Sequence, residues 1–251
     1  MFKFKGKRSD DMHLTIENKL NFTSSERDID FITIPGRNGM LAIDNKRYTQ
    51  VQRSIPCILN LPSGMNVEHV ATNINNWLNV DHQFHDFEWI GDPDFVYKAM
   101  FHQRFTLNRM IENYGRVVLN FTMHPIKYLK TGLVERTISS GTNIYNPLSL
   151  PSKPIIKIVG QGDINLRIND QEIILRRVEM GGVLIDSENQ TITTLDGNRS
   201  QVQSLHSYPF PVLEVGANVI EFEVDLEHQF SHNIESRIDS VSIIPRFGEL
   251  I

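Results

Sequence analysis

Apolar and polar positions alternate with period two along most of the first half of the chain. Met12-His13-Leu14-Thr15-Ile16 is the first such run, the signature of a strand with one buried face. A similar β-rich composition returns at Ile29 and Phe31-Ile32-Thr33-Ile34. It stops at Pro35-Gly36-Arg37-Asn38-Gly39, where proline fixes φ and glycine permits positive φ, so the segment reads as a turn. Residues 47–61 read as a strand pair or one long strand, ended by Pro62-Ser63-Gly64. One segment changes period. Val67, Val70, Ala71, Ile74, Trp77 and Leu78 fall at helical spacing and form a single stripe, with Asn66 placed to cap the helix start. Trp77 then belongs to a core. Strand patterns resume at 84–90, 95–107 and 115–124.

Between residues 131 and 154 the chain turns rich in Ser, Thr, Asn, Gly and Pro, and a domain boundary is expected within 128–150. Beyond it come many short strands with regular turn signals. Residues 154–159 and 164–168 read as two strands joined by a turn at Gly160-Gln161-Gly162-Asp163. Further strands follow at 173–175, 183–185, 191–195, 212–215, 219–224 and 238–244. This spacing predicts a β-sandwich or jelly roll. The expected division is 1–132 and 133–251.

Composition narrows the classes. Apolar residues at 40% and charged residues at 22% describe an ordinary globular chain, and no window is long and apolar enough to predict a membrane insertion. The N-terminal segment has basic residues but no apolar run after them, so no secretory signal is expected. One cysteine, Cys57, has no internal disulfide partner and sits among apolar neighbours, as a buried thiol does. The net charge is −5. Residues 1–130 carry 16 Lys and Arg against 14 Asp and Glu, residues 131–251 carry 9 against 16, so the second half lacks the basic excess of a nucleic-acid surface.

A search for chemistry returns little. His82 and His85, flanked by Asp81 and Asp86, suggest a metal only if further ligands converge, and a polar turn is the simpler reading. His228 and His232 lie in a segment without helical periodicity and read as loop residues. Asp163, Asp170 and Asp186 could serve a glycosidase only as a facing pair, and scattered carboxylates are ordinary on sandwich loops. The Asn-x-Ser/Thr triplets at Asn21, Asn120, Asn189 and Asn198 matter only in a secretory pathway. No nucleophile elbow, phosphate loop or dinucleotide fingerprint occurs. No catalytic residues, no metal and no cofactor are expected, and a binding or assembly module is.

Several motifs, in order over the whole chain, resemble those of the distal tail proteins of long-tailed bacteriophages. They are Pro35-Gly36-Arg37-Asn38-Gly39, the single helix at 67–78, and Phe121-Thr122-Met123-His124-Pro125-Ile126-Lys127-Tyr128. In the second half they are residues 154–164, Ile185-Asp186-Ser187-Glu188, Pro211-Val212-Leu213-Glu214-Val215-Gly216-Ala217-Asn218 and Ile243-Ile244-Pro245-Arg246-Phe247. Asn38 stands where aspartate is commoner. The resemblance implies a mainly β chain: an N-terminal ring-forming domain with one helix, then a galectin-like β-sandwich of jelly-roll type. It also implies a structural role at the baseplate or tail tip of the virion. Six copies would form a ring, with loop 35–39 and its flanks reaching a neighbour. The partners implied are the same chain, the major tail tube protein, a tail-associated hub or fibre protein and receptor-binding proteins, with DNA only in transit and synthesis in the host cytoplasm. A second reading makes the sandwich a carbohydrate-binding module for host cell-surface glycans, using the loop aromatics Tyr208 and Phe230.

Overall fold

The structure, a computed structural model, describes residues 1–17, 21, 23–111, 114–225 and 235–251. It is mainly β, with one α-helix among the described residues. Two compact units divide the chain: Met1–Lys127 with Leu250–Ile251, and Tyr128–Glu249. The division falls after Lys127, where the sequence pattern places it after residue 132.

The first unit is built on the antiparallel pair Val51–Asn60 and Tyr114–Met123, in register from Val51 opposite Met123 to Asn60 opposite Tyr114. Strict alternation in the first of these strands turns Val51, Ile55, Cys57 and Leu59 inward. Burial pushes the Cys57 thiol up to about 12, so it stays protonated and serves as packing. The sheet continues through Leu14–Ile16 on one side and through Phe95–Met100, His85–Trp89, Phe2–Phe4 and Lys7–Arg8 on the other. Helix Val67–Leu78 covers it with the stripe the sequence predicts: Val67, Val70, Ile74, Trp77 and Leu78 are buried. Its N-cap is Asn66, whose side chain accepts from the Glu68 and His69 N–H groups at 2.8 and 3.2 Å. Trp77 Nε1 donates to the Phe4 carbonyl at 3.0 Å and fixes the helix to the first strand. Under the helix lies a cluster of aromatic rings centred on Phe121.

The second unit is a sandwich of two antiparallel layers. One layer holds Arg136–Ile138, Arg237–Ile244, Val183–Asp186 and Thr191–Thr193, the other Thr142–Asn146, Gly216–Val224 and Gln171–Val178. The strand Ile155–Ile168 belongs to both. Gly160-Gln161-Gly162-Asp163 is not a turn between two strands but the place where one 14-residue strand bends from one layer into the other, with the ladder register shifting at 159/160 and 162/164. The glycines are there for close approach. A Cβ on Gly160 would stand 2.3 Å from the Arg237 carbonyl oxygen, and one on Gly162, at φ +85°, 2.6 Å from the Ser236 Cα. Ile156, Ile158, Val183, Ile185, Val241 and Ile243 from one layer meet Ile164, Leu166, Ile168, Ile173, Leu175 and Ile220 from the other in a single aliphatic core.

Two of the sequence motifs join at its edge. Asp186 takes both guanidinium nitrogens of Arg246, at 2.6 and 3.1 Å, and accepts from the Glu188 and Asn189 N–H groups, closing that turn. Burial pushes the Asp186 carboxyl up, but the bonds from Arg246 and Asn189 outweigh it and hold the group below its ordinary value. A carboxyl lowered in the folded state stabilises at pH values above its unfolded pKa, about 3.9, and loses that contribution as pH falls through the folded value. The urea midpoint of the second unit is therefore expected to hold from pH 7 to about 5 and to drop below about pH 4, with a smaller drop in Asp186→Asn.

Candidate assembly surface

Among the described residues, strands Arg27–Thr33 and Met40–Tyr48 pair only with each other and form a two-stranded ribbon separate from the main sheet. The ribbon's tip is the turn the sequence predicts. Pro35 and Gly36 take its two central positions, Gly36 at φ +82°, and the Arg37 N–H closes it on the Ile34 carbonyl at 3.1 Å, as a type II turn requires. Pro35, Gly36, Arg37, Asn38 and Gly39 are all exposed.

The base of the ribbon is polar and held by its own side chains. Asn45 Nδ2 donates to Asp28 and Asp30 at 3.2 and 3.0 Å, Arg47 Nε donates to Asp28 at 2.6 Å, and Arg27 pairs with Asp44 at 3.5 Å. Hydrogen bonds from Arg47 and then Asn45 hold the Asp28 carboxyl below its ordinary value. These bonds set the register and leave the tip to other use.

The tip is apolar on both faces. Opposed residues share a face, so Phe31 and Ala42 lie with Thr33 and Met40, while Ile32 and Leu41 lie on the other side with Ile43. Phe31 is 64% exposed, Met40 62%, Ile32 46% and Ile43 41%, and none belongs to either hydrophobic core. A ribbon resting on its own domain would hide one apolar face and show a polar one. A lone two-stranded ribbon is also only marginally stable in water. Covering each of these large side chains would contribute about 1.5–3 kcal/mol, and exposed apolar patches of this kind mark interaction sites.

The sequence pattern locates the loop and Phe31-Ile32-Thr33-Ile34, but not the strand Met40–Tyr48 as a separate element. The legible signal is the pair of adjacent apolar residues on each side of the turn, Phe31-Ile32 and Met40-Leu41, which breaks alternation and leaves neither face polar. The other singled-out residues lie elsewhere. Tyr208 is 77% exposed on a loop, next to Ser207, whose hydroxyl accepts from the Ile174 N–H at 2.9 Å. Phe230, His228 and His232 lie outside the described residues. His85 pairs with Asp81 at 2.7 Å, and Lys5 reaches the same carboxylate at 2.9 Å. Asp163 accepts from the Arg177 N–H at 2.8 Å, and Asp186 is committed to Arg246.

No protein-family model matches the sequence, and no curated protein matches it. Solved structures do. The chain is similar to the SPP1 Dit (gp 19.1) protein, described as a paradigm of the hub adsorption apparatus in phages that infect Gram-positive bacteria. The TM-score is 0.67 at 14% identity over 96% of both chains. The phage P2 baseplate in its activated conformation gives a TM-score of 0.47 with Ca and 0.43 with Sr, each at 10% identity over 90% of both chains. The resemblance drawn from the motifs thus holds at the level of the fold.

Proposed function

We propose that this chain is a distal tail protein, a non-catalytic structural subunit of a bacteriophage tail tip. The observation that carries the reading is the ribbon 27–48, whose two apolar faces find no cover among the described residues. The likeness to the SPP1 hub protein supports it. A ribbon that docks on the next copy makes a heterologous contact, and such contacts repeated by rotation close a ring. Six first units form that ring around a channel, and the second units carry the galectin-like sandwich. The ring joins the major tail tube protein on one side and a tail-associated hub or fibre protein on the other, with receptor-binding proteins attached beyond. DNA passes the channel in transit, and the net charge of −5 disfavours its retention. No cofactor enters this role. Negative-stain images of the full chain test the reading: rings with a central hole are expected, and compact particles the size of one chain would count against it.

A further inference from the structure

The second unit carries a groove of about 450 Å³ on the outer face of its Thr142–Asn146, Gly216–Val224, Ile155–Ile168 and Gln171–Val178 layer. That size lies within the ~300–1,000 Å³ of small-molecule sites. Its floor comes from three neighbouring strands. In register, Glu221 lies opposite Arg167 and Arg167 opposite Glu172, and one step along Glu223 lies opposite Asn165 and Asn165 opposite Ile174. Alternation brings all six to one face.

Arg167, Glu221 and Asn165 are held by hydrogen bonds before any ligand arrives. Arg167 donates twice to one oxygen of Glu221, its Nε at 2.8 Å, which leaves Glu221 Oε1 free to accept. Arg176 donates to Asn165 Oδ1 at 2.9 Å and to Asp225 at 2.6 Å, and Asn165 Nδ2 donates to the same Asp225 oxygen at 3.3 Å, so both ends of the Asn165 amide are held within the groove face. A guanidinium has five donors and a carboxylate about four acceptor positions, so the exposed Arg167–Glu221 pair retains capacity on its open side. The result is a lattice in which donors and acceptors alternate a few ångströms apart, beside the half-buried Ile174.

From this lattice we infer that the groove is a binding site for an uncharged saccharide. A sugar hydroxyl both donates and accepts, so a vicinal pair of hydroxyls matches an adjacent guanidinium and carboxylate. The C–H face of a pyranose can rest on Ile174, where an aromatic ring is the commoner platform. The lining sets the charge class. It holds two arginines against three glutamates, Glu172, Glu221 and Glu223, which disfavours a phosphate or uronate. Tyr208 is not among the lining residues. This inference rests on the second unit's own geometry and stands whether or not the chain forms a ring.

The test is saturation-transfer NMR on the full chain. The probes are the methyl glycosides of glucose, galactose, rhamnose and N-acetylglucosamine, with glycerol 1-phosphate as the anionic one. At least one neutral glycoside is expected to bind with a dissociation constant in the millimolar range. Arg167→Ala and Glu221→Gln are each expected to weaken it about tenfold or more, the size of one hydrogen bond to a charged group. Both residues are exposed, so the melting temperature should not move. The inference is overturned if no neutral glycoside shows transfer, if binding survives both substitutions, or if glycerol 1-phosphate is preferred.

Discussion

Phe31→Asp combined with Met40→Asp is expected to convert the assembled protein to single chains while leaving its melting temperature in place. The two side chains share one face of the ribbon and are among its most exposed apolar groups. Neither contributes to a core, so the folded chain loses nothing when they change. In an assembly the same positions are covered, and a carboxylate buried there without a partner costs several kcal/mol. In the proposed ring, symmetry repeats that penalty at every interface. Size-exclusion chromatography with light scattering reads the outcome. An assembled double variant would mean that this face of the ribbon is not the contact. The matching pair on the other face, Leu41→Asp with Ile43→Asp, tells whether both faces are needed.

Phe121→Ala is expected to do the opposite and act through the fold itself. Phe121 is fully buried, with the rings of Phe2, Phe4, Phe87 and Phe101 at 6.0, 5.3, 5.3 and 5.2 Å between centroids. All four of those contacts are edge-on or tilted, the geometry in which aromatic pairs attract beyond their buried area. Rings held on three strands and a loop cannot all move in to fill the gap. The cost of a buried Phe to Ala change, about 3–5 kcal/mol, therefore applies in full. Against a typical total of about 5–15 kcal/mol, that is enough to lower the denaturation midpoint of the first unit sharply. Urea unfolding followed by Trp77 and Trp89 fluorescence measures it. A midpoint near that of the parent chain would show that the ring cluster does not anchor this unit.

Much of this fold is legible in the sequence because its determinants are local. The helix 67–78 declares itself by one apolar stripe and a capping asparagine, and the strand Val51–Asn60 falls within residues 47–61, which read as a strand pair or one long strand. What escapes the sequence is non-local. Gly160 and Gly162 look like turn residues, yet they are needed because residues 236 and 237, more than seventy positions away, press against the strand. The strand Met40–Tyr48 escapes because it lies on no core, so nothing imposes alternation on it. The candidate assembly surface is half visible: Pro35-Gly36 announces the turn, but that Phe31, Ile32, Met40 and Ile43 stay uncovered is a fact of burial. The groove of the second unit is invisible in sequence. Its residues come from 165–167, 172–176 and 221–223, and only the register of three strands brings them to one face.

Contact between copies through the ribbon is tested most directly by the mass of the full chain in solution. Six chains of 28.9 kDa give 6 × 28.9 = 173.4 kDa, and light scattering is expected to return that value across a wide range of concentrations. A single species at 28.9 kDa at every concentration, with the apolar ribbon still exposed, would contradict it.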